Sequence, residues 1–263
     1  MSAIQKIPNN FELQILSDIH LELRKKHFNF ASSAKNLALL GDIGNPFSPH
    51  YQEFLFQCAD RFEKVFIVAG NHEFYRNEYF ETCQKIDQIC LARSNLYFLN
   101  GRALHFPGLK ILGCTLWSHI AETHKKEIFQ RLNDFKLIRY FNKKMSLENY
   151  EELHQKDLSF LRTHLALSPL DKKSSDKTIV LTHHAPIDHT GNPSYFGSSL
   201  SSAFVNTFSD DIFKNVSLWG FGHTHWQIDF QHLLHRTRFL SHQIGYEHES
   251  IPLCDTENLF VLK

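Results

Sequence analysis

Val65-Phe66-Ile67-Val68-Ala69-Gly70-Asn71-His72-Glu73 decides how the rest of the chain is read. Val65–Ala69 is a short unbroken apolar run, rich in β-branched and aromatic residues. That composition suits a strand buried on both faces. Gly70 stops it, and three polar residues follow at once. In open α/β sheets, ligands gather just beyond the carboxyl ends of the strands. Alone, Gly-Asn-His-Glu would be a capped loop with a surface histidine. The same arrangement, however, recurs at four other places.

Phe11–Ser17 alternates and then turns apolar, as a strand does, and ends in Asp18-Ile19-His20. In extended backbone, residues two apart point to one side, so Asp18 and His20 are expected to project together. Leu37–Leu40 ends in Gly41-Asp42-Ile43-Gly44. Thr178–Leu181 runs into Thr182-His183-His184-Ala185-Pro186, and Val216–Phe221 into Gly222-His223-Thr224-His225. By the same alternation, His223 and His225 are expected to face one way.

Helical periodicity marks Tyr51–Phe62 and Asn77–Arg93. Leu96–Leu99 and Lys110–Leu116 are strand candidates, with turns at Asn100-Gly101 and Pro107-Gly108. From Glu122 to about Leu167 the chain is rich in Lys, Glu, Gln and Leu and reads as helices with a loop between. Pro169–Lys177 is a polar linker. Asp188–Ser202 is a long loop expected to border the site, and Ser202–Phe213 reads as a helix. Gln227–Phe230, Arg236–Leu240 and Leu259–Leu262 read as a closing β meander. The order of elements is that of an α/β protein.

The chain has 263 residues, enough for one large domain with a sizeable core. Its 42% hydrophobic and 21% charged content is that of a soluble globular protein. Lys+Arg and Asp+Glu are 28 each, so no basic excess points to nucleic acid or an anionic membrane. The 24 Phe suggest aromatic-filled layers, and the 18 His invite a search for metal. Five cysteines, an odd number without a Cys-x-x-Cys pair, argue against a thiolate zinc site or a disulfide framework. Met1–Asn10 holds no apolar stretch of signal-peptide length, and no run approaches a membrane span. The expectation is a soluble, cytoplasmic protein.

Five strand ends thus carry Asp18 and His20, Asp42, Asn71 and His72, His183, and His223 and His225. The donors are oxygen and nitrogen without sulfur, a set for borderline first-row ions such as Mn, Fe, Co or Zn. They are too many for one tetrahedral site and suit two bridged metals, as in phosphoryl chemistry.

Asp18-x-His20, Gly41-Asp42, Gly70-Asn71-His72-Glu73, His183 and Gly222-His223-x-His225 together resemble the five-part motif of the calcineurin-like metallophosphoesterase superfamily. The resemblance covers residues 18 to 225. It implies a four-layer α/β/β/α sandwich with two facing mixed sheets, here as a single domain over 1–263 with a helical insertion or cap at about 120–170. It also implies that Asp18, His20 and His225 hold one metal, that Asn71, His183 and His223 hold the second, and that Asp42 bridges them beside a hydroxide nucleophile. His72 is implied to stand near the metals as general acid.

Leu21 follows His20 where the protein Ser/Thr phosphatase branch has Gly, and Gly44-Asn45-Pro46 stands in place of its Asp-Arg pair. The pattern is therefore closer to the small-molecule phosphoesterase and phosphodiesterase branches. The expected partner is a small phosphate ester, with phosphatase and phosphodiesterase activity both open. Nucleic acid is disfavoured by the charge balance, which weighs against a metal-dependent nuclease. The retained ligand set weighs against a non-catalytic scaffold.

Arg76, His119 and His184 are candidate substrate contacts. Glu73 is expected to orient a histidine from behind. His124, His154, His164, His232, His235 and His248 read as surface or packing residues.

Overall fold

A computed structural model describes residues 11–166, 177–249, 251 and 259–262. The first half of the chain runs β1 (Phe11–Leu16), β2 (Asn36–Leu40), α1 (Pro49–Arg61), β3 (Lys64–Val68), α2 (Tyr79–Leu91), β4 (Leu96–Phe98), β5 (Arg102–Phe106) and β6 (Leu109–Cys114). Then come α3 (Lys125–Arg131), α4 (Asp134–Leu137), a hairpin of β7 (Arg139–Tyr140) and β8 (Lys143–Lys144), and α5 (Leu147–Leu165). The last part is β9 (Lys177–Thr182), β10 (Val216–Gly220), β11 (Ile228–Gln231), β12 (Arg238–Ser241) and β13 (Leu259–Leu262).

Two mixed sheets result. One has the order β13-β1-β2-β3-β4, and the other β11-β12-β10-β9-β6-β5. Neighbours from β1 to β4, and from β12 to β6, pair in parallel, while β13, β11 and β5 are antiparallel edges. Strand alternation sorts the side chains into layers. Leu13, Ile15, Ala38, Leu40, Phe66 and Val68 face Ile111, Ile179, Leu181, Leu218 and Leu240 in the core between the sheets. Leu37, Leu39, Val65 and Ile67 point the other way, onto Phe54, Leu55 and Cys58 of α1 and Ile86 and Ile89 of α2. On the far side, Leu112, Val180 and Trp219 cover Leu158 and Leu161 of α5. This is the expected four-layer α/β/β/α sandwich. Leu37–Leu40 are wholly buried, and each such leucine contributes roughly 1.5–3 kcal/mol of hydrophobic stabilisation.

Local chemistry sets the helix ends. Glu78 accepts from the Phe80 and Glu81 amides to start α2. Ser146 and Asn149 form a reciprocal capping box at the start of α5.

Three expectations are corrected, and one strand is added. Ser202–Phe213 is not a helix, since only the 3-10 turns Ser201–Ala203 and Asp210–Phe213 form. Val205 is drawn into a bridge with Ala185, and the Asn206 amide donates to the Ala185 carbonyl, which holds the segment extended. The closing strands are not one meander: β12 inserts parallel to β10, and β13 crosses to the other sheet to pair with β1. Arg102–Phe106, not anticipated, is a strand; its exposed Arg102 and His105 belong to an edge and hide the apolar pattern. The 122–165 segment contains the β7–β8 hairpin among its helices.

Cys58, Cys83, Cys90 and Cys114 are free, and burial pushes the Cys58 thiol up to about 12. Cys254 and the linker from Pro169 to residue 176 lie outside the described residues. No helix among the described residues is long and apolar enough to cross a membrane.

Candidate metal centre

The loops after β1, β2, β3, β9 and β10 meet at one edge of the sandwich. They meet by sharp turning, not by strand alternation. Asp18, His20, Asp42, His223 and His225 all have positive φ, between 47° and 72°. Non-glycine residues seldom adopt that region, and such backbone strain gathers at functional sites. The expectation that Asp18 and His20 share a face of extended strand is therefore corrected, because β1 ends at Leu16 and both residues lie in the turn. His223 and His225 do not face one way either. His225 groups with Asp18 and His20, and His223 with His183 and His184. Close backbone approach also needs glycine, since a Cβ at Gly70 would collide with the Asp42 carboxylate and the His183 ring.

Asp18, His20 and His225 offer donor atoms within 4.8 Å of one another, as do Asp18, Asp42 and His183, and His20, Asp42 and His72. The hydrogen-bond partners behind these residues fix which nitrogen is bare. His20 Nδ1 lies 3.3 Å from Glu22 Oε1, and His225 Nδ1 lies 2.5 Å from Glu249 Oε2. Ionised carboxylates only accept, so both Nδ1 atoms carry the proton. The two Nε2 atoms then face each other across 3.1 Å, with room between them only for a proton or a cation. His183 repeats the arrangement. Its Nδ1 donates to the Leu40 carbonyl at 2.8 Å, and Nε2 stands 3.2 Å from Asn71 Oδ1 and 3.4 Å from Asp42 Oδ1. The Asn71 amide is oriented by Asp134, whose Oδ1 accepts from Nδ2 at 2.8 Å. Lone pair facing lone pair is unfavourable unless a cation or a proton lies between, so these residues fit a metal.

The electrostatics agree. Burial, then Glu73 and Asp18, push Asp42 well above the ordinary carboxylate range; a cation beside it would reverse that. Burial opposes charge on His225, but its bonds to Asp18 and Glu249 outweigh it and raise it to about 10, so without a cation Nε2 holds a proton toward Asp18 in the place a metal would take. Burial alone would raise Glu22, but its bonds to His20 and His72 hold it at about 2. Burial lowers His183 to about 4, which keeps it neutral and able to ligate.

The other expected residues divide. His72 sits at the opening, 14% exposed in its side chain, with Nε2 3.9 Å from Asp42 Oδ2 and Nδ1 3.0 Å from Glu22. Glu73 does not orient a histidine: it accepts from the amides of Asp42, Ile43, Gly44 and Gly70, so it shapes the β2 loop instead. His184 is fully buried, with Nδ1 2.6 Å from Ser118 Oγ, and so presents no face to a substrate. Its ring stacks on His223 at 4.0 Å, while Phe204 stacks on His223 at 4.8 Å. Arg76 is exposed in a left-handed turn, its amide donating to the Leu137 carbonyl, and its guanidinium has no partner among the described residues. His119 is turned toward Glu151, 3.2 Å away. His154 is buried and bonded to the Trp117 carbonyl.

Glu22, Asp134 and Glu249 were not singled out from the sequence. Glu22 carries a weak local signal, two residues beyond His20. Asp134 and Glu249 carry none, because both reach the centre from distant segments.

A two-sheet sandwich with clustered nitrogen and oxygen donors at its strand ends defines a metal-dependent hydrolase scaffold. The sequence profile described as calcineurin-like phosphoesterase matches residues 14–227, and the chain belongs to that family. Metal-dependent phosphoester hydrolysis is the chemistry of its class. An uncharacterised protein of Acanthamoeba polyphaga mimivirus is 28% identical over 265 aligned residues, spanning 90% of this chain and 92% of its own. The crystal structure of phosphopantetheinyl hydrolase from Mycobacterium tuberculosis superposes with a TM-score of 0.63 at 16% identity, over 91% of each chain, and shares the fold.

Proposed function

We propose that this protein hydrolyses small-molecule phosphate esters at a centre for two transition-metal ions. The observation that carries the proposal is the set of Nε2 atoms and carboxylate oxygens converging from His20, His225, His183, Asp18 and Asp42. Asp18, His20 and His225 would hold one ion, and Asn71, His183 and His223 the other, with Asp42 shared. Bound there, Mn, Fe, Zn or Co would supply Lewis acidity toward a phosphoryl oxygen and lower the pKa of water.

The protein's own residues do the remaining work. Glu22 and Glu249 hold the proton on Nδ1 of His20 and His225, so that each presents Nε2. Asp134 keeps the Asn71 carbonyl oxygen pointed inward. Tyr246 lies over the His20 ring at 4.4 Å and shields that side from water. His72, at the opening, would give a proton to the departing alcohol oxygen.

The test is direct. Metal content is measured on purified protein, and turnover is assayed with Mn on phosphomonoesters, phosphodiesters, cyclic nucleotides and a phosphopantetheinyl ester. We expect two ions per chain and activity that chelation abolishes. Full activity in strong chelator, with no metal by elemental analysis, would overturn the proposal.

A further inference from the structure

Apart from the strand-end centre, one more set of nitrogen and oxygen donors converges among the described residues. His119, Glu151 and His154 offer donor atoms within 4.8 Å of one another. His119 lies in the loop that follows β6. Glu151 and His154 sit three apart on α5 and therefore share a helix face.

His154 is 3% exposed, and its Nδ1 is held 2.5 Å from the Trp117 carbonyl oxygen. A carbonyl only accepts, so Nδ1 carries the proton and Nε2 is the nitrogen left bare. Nε2 has no hydrogen-bond partner among the described residues. A backbone carbonyl behind the far nitrogen is the usual support for a metal-ligating histidine. The His119 ring lies 5.6 Å from that of His154, and its Nδ1 is 3.2 Å from Glu151 Oε2. Gln155 donates to Glu151 Oε1 at 2.9 Å and fixes the carboxylate. His119 is 60% exposed in its side chain, so it can swing without repacking the core.

Two imidazoles and one carboxylate form a three-ligand set suited to zinc, cobalt or nickel, with water completing the shell. We propose that His119, Glu151 and His154 bind a third transition-metal ion, which clips α5 to the loop after β6. This site shares no ligand with the strand-end centre.

The test counts ions by difference. Chelator-stripped protein is loaded with Zn²⁺, exchanged into metal-free buffer and analysed, as wild type, His119→Asn and Glu151→Gln. Both substitutions are at side chains that reach solvent. Each variant should hold one ion fewer than wild type. With Co²⁺, the variants should lose one component of the visible absorption. The difference between wild type and variant does not depend on how many ions the strand-end centre holds, so failure of that centre and failure of this one are separable. Equal metal content in all three proteins would mean an ion pair only and would overturn the proposal.

Discussion

Asp134 accepts a hydrogen bond from the side-chain amide of Asn71 across 2.8 Å, although the two residues are 63 positions apart. Asp134 is 1% exposed, and the same Oδ1 also accepts from the Tyr75 hydroxyl at 2.7 Å. A buried carboxylate is costly unless it is well partnered. Here its partners decide which end of the Asn71 amide faces His183. The segment between β6 and β9 thereby reaches into the candidate metal centre.

Asp134→Ala should let the Asn71 amide turn. Affinity for one of the two ions should fall about 10–100-fold, as for other partners standing behind a ligand. Tyr75→Phe leaves the Asn71–Asp134 bond in place and should cost much less. Titration of both variants with Mn checks this; two sites of unchanged affinity in Asp134→Ala would remove Asp134 from the role.

Much of this centre is legible in the sequence, and the physical reason is simple. Each parallel strand is buried on both faces, so it is a plain apolar run, and its end is marked where Gly70, Gly41 or Gly222 and polar residues interrupt it. What sequence spacing could not supply is backbone direction. His223 and His225 are two apart, yet positive φ at both sends them to different groups. Nor could it supply long-range partners, since Glu249 and Asp134 touch the centre only through the fold. The segment from 202 to 213 has helical spacing, but the Val205–Ala185 bridge overrides it.

Asp42 should matter more than any terminal ligand, because both ion positions depend on it. Asp42 sits at φ 53°, a conformation that asparagine also tolerates, so Asp42→Asn removes charge with little backbone penalty. Activity should fall by about 10³ or more, as when a principal electrostatic group is lost. Retention of wild-type metal content and rate would show that Asp42 is no bridge.

His183 and His184 are adjacent but should behave differently. His183→Ala removes a bare Nε2 and should empty one site. His184→Ala removes the ring stacked on His223 and its bond to Ser118 Oγ, but no ligand of the centre. Aromatic stacking is worth about 1 kcal/mol, so ion affinity should fall by no more than about tenfold. His184→Phe keeps the stack and should restore it. Stoichiometry for the three variants decides; an emptied site in His184→Phe would move the ligand assignment by one residue.

Asp157 gives a pH signature away from the strand-end centre. It is fully buried and accepts from the Leu116 amide at 2.8 Å, and burial raises its carboxyl to about 7. A carboxyl raised on folding ionises more readily in the unfolded chain. Stability should therefore fall as pH rises from about 4 to about 7, by an amount on the order of 4 kcal/mol. Asp157→Asn should lack that loss, so the gap between variant and wild type should widen in favour of the variant across the same window. Parallel denaturation curves at pH 5 and 8 measure it, and a gap independent of pH would refute it.

His72 tests mechanism separately from metal binding. Its backbone amide donates to Asp42 Oδ1 at 2.9 Å, and its ring packs on Tyr75 at 4.2 Å. Glu22 accepts from Nδ1 at 3.0 Å, which leaves Nε2 as the nitrogen turned toward Asp42 and the Tyr246 hydroxyl. Nε2 is therefore the nitrogen through which His72 would pass a proton to an ester oxygen. Histidine is the side chain that most readily gains and gives a proton near neutral pH. An alkoxide leaving group needs that proton, whereas a nitrophenolate scarcely does. General acid help is worth about 10²–10⁴ in rate. His72→Asn should lose most of that factor on an alkyl phosphate ester and far less on a nitrophenyl ester, with metal content unchanged. Both esters are measured on one preparation under conditions where chemistry limits the rate. Glu22→Gln weakens the hold on Nδ1 and should reproduce the same leaving-group dependence in smaller measure. Equal losses on the two esters would mean that His72 positions the phosphate and does not protonate the departing oxygen.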